Sequence, residues 1–143
     1  MYRWASSILT LTFACLLLTG CGESRVATYP VKGKVRFANG APVRTGIVEF
    51  GSEDQQVTAS GKIQTDGTFV LGTYTADDGA AAGEHKVIVM QLIINDGLIK
   101  HVHDHGGAVD PMFASYQTTT LKAVVEAKES NEIELIVEPA KRR

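Results

Sequence analysis

Glu84-His85-Lys86-Val87-Ile88-Val89-Met90-Gln91-Leu92-Ile93-Ile94 is the stretch on which the fold turns. Its length and apolar content would suit a helix as well as a strand. Five of its residues (Val87, Ile88, Val89, Ile93 and Ile94) branch at Cβ. Branched side chains lose χ1 freedom against a helical turn but pack well on a pleated sheet, so the run is a strand. Residues 87–90 are apolar at consecutive positions, as in a central strand covered on both faces. Asn95-Asp96-Gly97 closes it with a turn signal.

Upstream the alternation is cleaner. Tyr29, Val31, Gly33, Val35 and Phe37 share one face of residues 29–37, and Lys32, Lys34 and Arg36 share the other. That is a half-buried strand with a cationic solvent side. Asn39-Gly40 is a turn, and Pro42 removes a ladder donor after it. Residues 46–50 form a second strand, with Val48 and Phe50 opposite Ile47 and Glu49. Residues 51–56 are a polar break before the short β run 57–60. Residues 61–71 read as a hairpin about Asp66-Gly67, and residues 75–83 as a loop rich in Ala, Asp and Gly. Downstream, Leu121, Ala123 and Val125 alternate with Lys122 and Glu126. Ile133, Leu135 and Val137 then point inward until Pro139 ends the ladder. Tyr116-Gln117-Thr118-Thr119-Thr120 is a strand entry by β propensity. Six or seven short strands with frequent turns, and no helix of useful length, predict an all-β antiparallel two-sheet sandwich, with a small barrel as the alternative.

The chain begins differently. Arg3 is followed by an apolar run over residues 8–18 and then by Leu18-Thr19-Gly20-Cys21. A positive start, an apolar core too short to span a bilayer, and small residues before a cysteine make a secretory signal. Leu18 to Cys21 resembles the lipobox of signal peptidase II substrates. The resemblance implies cleavage between Gly20 and Cys21, removal of residues 1–20, and acylation of Cys21 with two or more chains, enough for stable anchoring. Gly22, where an aspartate would favour inner-membrane retention, implies export to the periplasmic face of the outer membrane. Residues 21–28 are then the lipidated end and spacer, 29–139 the domain, and 140–143 a basic tail.

Composition is consistent with that division. The chain has two cysteines, and Cys15 leaves with the signal. With Cys21 acylated, the mature domain has no thiol for a disulfide, a zinc site or a nucleophile. Loss of residues 1–20 removes Arg3 and no acid, leaving 13 basic against 16 acidic residues, a balance of −3. The basic residues are dispersed, without a stripe interleaved with aromatics, so nucleic acid is not an expected partner. No G-x-S-x-G, H-E-x-x-H or phosphate-binding glycine loop occurs, and the serines lack a nucleophile elbow.

Several segments together resemble a family. Tyr29-Pro30-Val31-Lys32-Gly33-Lys34-Val35 with Asn39-Gly40-Ala41-Pro42-Val43 is similar to the first hairpin of carboxypeptidase regulatory-like domains. Asp66-Gly67-Thr68-Phe69 resembles their D-G-x-F turn. Gly83-Glu84-His85-Lys86-Val87-Ile88-Val89 resembles their P-G-x-Y-x-V-x-V strand entry, with Ala82 in place of proline and His85 in place of the aromatic. With the lipobox, the chain looks like the small transthyretin-like lipoproteins of planctomycete-type bacteria. The resemblance implies a seven-stranded Greek-key sandwich of prealbumin type, and a spacer, stability or binding role without catalysis. Hydroxyisourate hydrolase shares the fold, but its C-terminal Y-R-G-S-type signature is replaced here by Ala140-Lys141-Arg142-Arg143.

One local concentration of chemistry remains, Lys100-His101-Val102-His103-Asp104-His105-Gly106-Gly107. On a strand His101, His103 and His105 would share a face, and neutral imidazoles suit Zn or Cu, with Asp104 or Asp110 adding an oxygen. Same-face neighbours lie about 6.6–6.8 Å apart along a strand, so convergence on one ion needs the bend that Gly106-Gly107 permits. The alternative is an exposed polar loop. The expected function is thus a lipid-anchored envelope module that binds or scaffolds envelope proteins, has no cofactor and does not catalyse. The alternative is a periplasmic Zn- or Cu-binding lipoprotein.

Overall fold

The computed structural model describes residues 25–91 and 106–141. In chain order the strands are β1 Thr28–Tyr29, β2 Val31–Phe37, β3 Gly46–Ser52, β4 Val57–Ile63, β5 Thr68–Val70, β6 Ala80–Ala81, β7 Gly83–Met90, β8 Lys122–Val125 and β9 Asn131–Val137. A single 3-10 turn, Pro111–Ala114, is the only helical element among the described residues, and no described helix is long and apolar enough to cross a membrane.

The strands make one four-stranded sheet, β4-β3-β7-β8, one three-stranded sheet, β5-β2-β9, and the two-residue pair β1-β6. The chain is an all-β sandwich. Its core is the inward alternation expected of β2, β3, β8 and β9. Val31, Val35, Phe69 and Leu135 from the smaller sheet meet Val48, Phe50, Val87 and Val89 from the larger, all buried. Phe50 and Phe69 close the gap between sheets with ring centres 6.1 Å apart and tilted by 53°. Each such side chain contributes about 1.5–3 kcal/mol by leaving water. In β7, Val87, Ile88 and Val89 are all buried, as a central strand requires.

Two pairings differ from the sequence expectation. The four-stranded sheet is antiparallel throughout, but β9 lies parallel to β2, from Val31 opposite Asn131 to Phe37 opposite Val137. β9 follows a turn that carries the chain from one sheet to the other. Its direction is therefore set by the end at which it enters, because no hairpin joins it to β2. The turn at Asp66-Gly67 does form. Gln64 N–H donates to Thr68 O at 2.8 Å, and Asp66 Oδ1 accepts from Thr68 N at 3.0 Å. The arms then part, however. β4 pairs with β3, β5 pairs with β2, and the reciprocal Ser60–Gly72 hydrogen bonds are what hold them together. Residues 116–120, expected as a strand entry, form a turn and loop instead, and the strand starts at Lys122.

The sandwich has two distinct ends. At one, β1 enters beside β6, Asn131 N–H bonds Pro30 O, and Gln55 Nε2 bonds Ala82 O. This entry end gathers the turns at 53–56, 72–79 and 126–130. β2, β7 and β9 all run away from it. The far end holds the Asn39-Gly40 and Asp66-Gly67 turns and both Gln91 and Gly107, which are joined by a Gln91 Nε2–Gly107 O bond of 3.3 Å. β2 alone spans about 20 Å between the ends.

Candidate functional site

The sequence placed the edge of the domain at residue 29, but the structure takes up the chain earlier. Thr28 pairs with Ala81 and Tyr29 with Ala80. Val26 N–H donates to the Tyr74 hydroxyl at 2.9 Å, and the Arg25 guanidinium sits 5.2 Å above the Tyr74 ring. Residues 25–29, which include the second half of the expected 21–28 segment, are thus docked along the entry end. The dock is closed by Gly79, whose φ of +86° suits glycine and whose missing side chain lets Tyr29 O approach where a Cβ would stand 1.8 Å away.

Tyr74 is held by the loop that bears it. The Asp78 carboxylate accepts from three successive backbone N–H groups, those of Thr73 at 2.6 Å, Tyr74 at 3.1 Å and Thr75 at 3.0 Å. Thr73 Oγ1 donates to Gly79 O at 2.7 Å. The adjoining Asp77, which the sequence offered only as part of a loop rich in Ala, Asp and Gly, adopts φ +65° at the loop tip. Partial burial pushes the Asp78 carboxyl upward, but the three N–H groups outweigh it and hold the group below its ordinary value. A carboxyl more acidic in the folded than in the unfolded chain adds stability above the unfolded pKa. That contribution is lost as pH falls through the lower, folded value. Asp78→Asn should therefore lower the melting temperature at about pH 6–7, and its deficit against the parent should shrink below about pH 4. A deficit constant with pH would assign the loop's stability to something other than this charge.

Three other places carry polar chemistry. The outer face of the three-stranded sheet is a ladder of ion pairs. Lys32 Nζ lies 2.9 Å from Glu132, and Arg36 grips Glu134 with Nε and Nη2 at 2.5 and 2.9 Å. The hydrogen bond from Arg36 is the main cause that holds the Glu134 carboxyl below its ordinary value. Beside them lies a shallow concavity of about 570 Å³ bordered by Val70, Gly33 and Ile133. These pairs are solvent-exposed and fix the β2–β9 register more than they stabilise it.

His85 is the second place. It stands where the family resemblance would put an aromatic, and it behaves as one. It is 1% exposed, its ring lies 5.9 Å from Phe50, and Nε2 is bonded to Ala81 O at 2.8 Å. Tyr116 is the third, lying over the outer face of β3, where a Cβ on Gly51 would meet its ring at 3.0 Å. Burial first, and the Glu49 carboxylate second, push its phenol above the ordinary value, so it is a poor proton donor.

Cys21 and Gly20 lie outside the described residues, as do His101, His103, Asp104 and His105. Asp110, the other oxygen considered for a metal, caps the 3-10 turn through Oδ1 and Met112 N–H at 3.0 Å. Among the described residues no group of three or more His, Cys, Asp or Glu side chains is placed to hold a metal ion. Arg25, Tyr74 and Asp78 are the residues that sequence reasoning missed. The signal available was Thr73-Tyr74-Thr75 followed by Asp78, a spacing that lets one carboxylate collect several backbone donors. No family model matches the chain, and no curated protein or solved structure matches it.

Proposed function

We propose that this chain is a lipid-anchored module of the bacterial cell envelope, tethered through Cys21 and acting by binding or scaffolding without catalysis. The observation that carries the reading is the four-residue sequence Leu18-Thr19-Gly20-Cys21 at the end of an apolar run, a few residues before the docked Arg25 and Val26. A tether attached so close to a docked N-terminus suits a domain held at a surface. In support of a scaffolding role, several of the described ionised side chains are engaged with one another or with backbone. Examples are Lys32 with Glu132, Lys122 with Glu84, and Asp66 and Asp78 with turn donors.

The finer assignment, a transthyretin-like fold of the carboxypeptidase regulatory-like type at the periplasmic face of the outer membrane, belongs to the same proposal. Its support is that Asn39-Gly40 and Asp66-Gly67 occupy turns and that residues 83–89 lie in β7. The experiment is a Cys21→Ser substitution in the full chain. The parent is expected in the membrane fraction with acyl mass on residue 21, and the variant in the soluble fraction or as unprocessed precursor without it. A parent without acyl mass, or a variant still processed at Gly20 and still sedimenting with membrane, would overturn the anchor.

A further inference from the structure

Residues 22–24 are the only chain between the proposed acylation site and the docked Arg25. Four residue steps, fully extended, reach at most about 14 Å. The sandwich is longer than this, since β2 alone spans about 20 Å and the turns add to both ends. The tether leaves the domain at one corner, where Arg25 stacks on Tyr74 and Val26 is bonded to the Tyr74 hydroxyl. Tyr74, Thr75, Ala76 and Asp77 are all exposed there. A tyrosine with an arginine over its ring is a pairing suited to the lipid–water boundary, where an apolar ring and a polar tip are both accommodated.

Charge restricts how far this contact extends. The neighbouring turns at the entry end carry Glu53, Asp54, Glu126 and Glu129 against Lys128. Anionic headgroups repel that ring of carboxylates, so the whole end cannot lie flat on them. The corner itself carries the Arg25 cation, the exposed Asp77 and the Asp78 carboxylate, whose charge is engaged by three backbone N–H groups, so the short tether and not net charge draws the corner to the surface. On the outer face of the three-stranded sheet Lys32 and Arg36 are paired with Glu132 and Glu134 and Lys34 adds one positive charge, which leaves little net charge to draw that face down.

We infer that the corner built from Arg25, Tyr74 and the tip at residues 75–77 is the surface that rests on the lipid headgroups. The far end, with the Asn39-Gly40 turn and the Gln91–Gly107 clamp, is then presented away from the bilayer. The inference rests on acylation of Cys21 and adds to it a single orientation. It also gives the Arg25–Tyr74 contact a role, which is to shorten the tether by holding residues 25–27 against the fold.

The test uses the full chain, purified from membranes after its acyl mass has been measured. An acylated Cys21 leaves an introduced cysteine as the only thiol. Ala76→Cys at the tip, Ala38→Cys at the far end and Val124→Cys on the outer face of the four-stranded sheet are each labelled with a fluorophore. The proteins are placed in vesicles of phosphatidylethanolamine and phosphatidylglycerol containing headgroup spin-labelled lipid. Quenching is expected to be several-fold stronger at position 76 than at 38 or 124, and to fall when Tyr74→Ala is added. Equal quenching at the three positions, stronger quenching at 38 or 124, or no effect of Tyr74→Ala would each overturn the orientation and leave the anchor standing. Absence of acyl mass would overturn both.

Discussion

Phe50→Ala is expected to remove about 3–5 kcal/mol of stability, the largest loss of any single truncation in this domain. Phe50 is fully buried at the middle of β3, its ring packed against Phe69 of the opposite sheet and against His85 of the neighbouring β7. Alanine would leave a void bounded by both sheets, and neither can move in without breaking its own ladder. The one tryptophan of the sequence, Trp4, lies outside the described residues and reports nothing of this core. The loss is therefore best read from denaturant unfolding followed by far-UV circular dichroism. Domains of this size are stable by only about 5–15 kcal/mol, so the variant should be marginal. Phe50→Leu should recover much of the loss, since it restores most of the volume. A loss below about 1 kcal/mol for alanine would mean that the sheets collapse onto the void and that the core is less rigid than its packing implies.

Gly33→Val should be nearly as damaging, by adding atoms instead of removing them. Gly33 sits in the middle of β2 between Phe69 on β5 and Ile133 on β9. A Cβ there would stand 2.1 Å from the Ile133 carbonyl oxygen and 2.5 Å from Cζ of the Phe69 ring. The ring occupies the space that a side chain on β2 would fill, the arrangement in which an aromatic neighbour covers a strand glycine. Valine has to push β9 out of register or turn Phe69 out of the core. Overpacking of this kind costs about 1–3 kcal/mol and more when backbone must shift, so a loss of at least about 3 kcal/mol is expected. Gly33→Ala should show a smaller loss of the same origin. Gly40→Ala is the control. Its φ is +86° and nothing lies within 4 Å of the added carbon, so it meets only backbone strain, about 1–2 kcal/mol. Equal losses at positions 33 and 40 would show that packing at Gly33 is not the cause.

These residues show where sequence reading reaches its limit. Gly33 fell on the inner face of a clear alternation, but period-2 patterning says only which face a residue occupies. Whether a neighbour's ring needs that space depends on which strand pairs there, and β5 was expected to pair with β4. The same gap hid the entry-end corner. Thr28–Tyr29 and Ala80–Ala81 are two residues each, too short to show any period, and their pairing joins positions 51 and 53 apart in the chain. Tyr74 and Arg25 meet across a similar separation. Asp78 looked like one more polar residue of the 75–83 loop because its partners are backbone N–H groups, which every residue but proline carries.

The sequence by itself determined the identity and facing of most strands. Side-chain branching and period-2 alternation are local properties, and a strand half in water must obey them wherever its partner lies. It likewise determined the turns at Asn39-Gly40 and Asp66-Gly67, where the required backbone angles select the residues. Only the tertiary structure decided that β9 runs parallel to β2, that β4 and β5 part into different sheets, and that residues 25–29 are docked against the Tyr74 loop. Each is a contact between segments distant in the chain. Such a contact is chosen by which exposed apolar faces and unpaired backbone groups remain once the local elements have formed, and no short stretch of sequence contains that information.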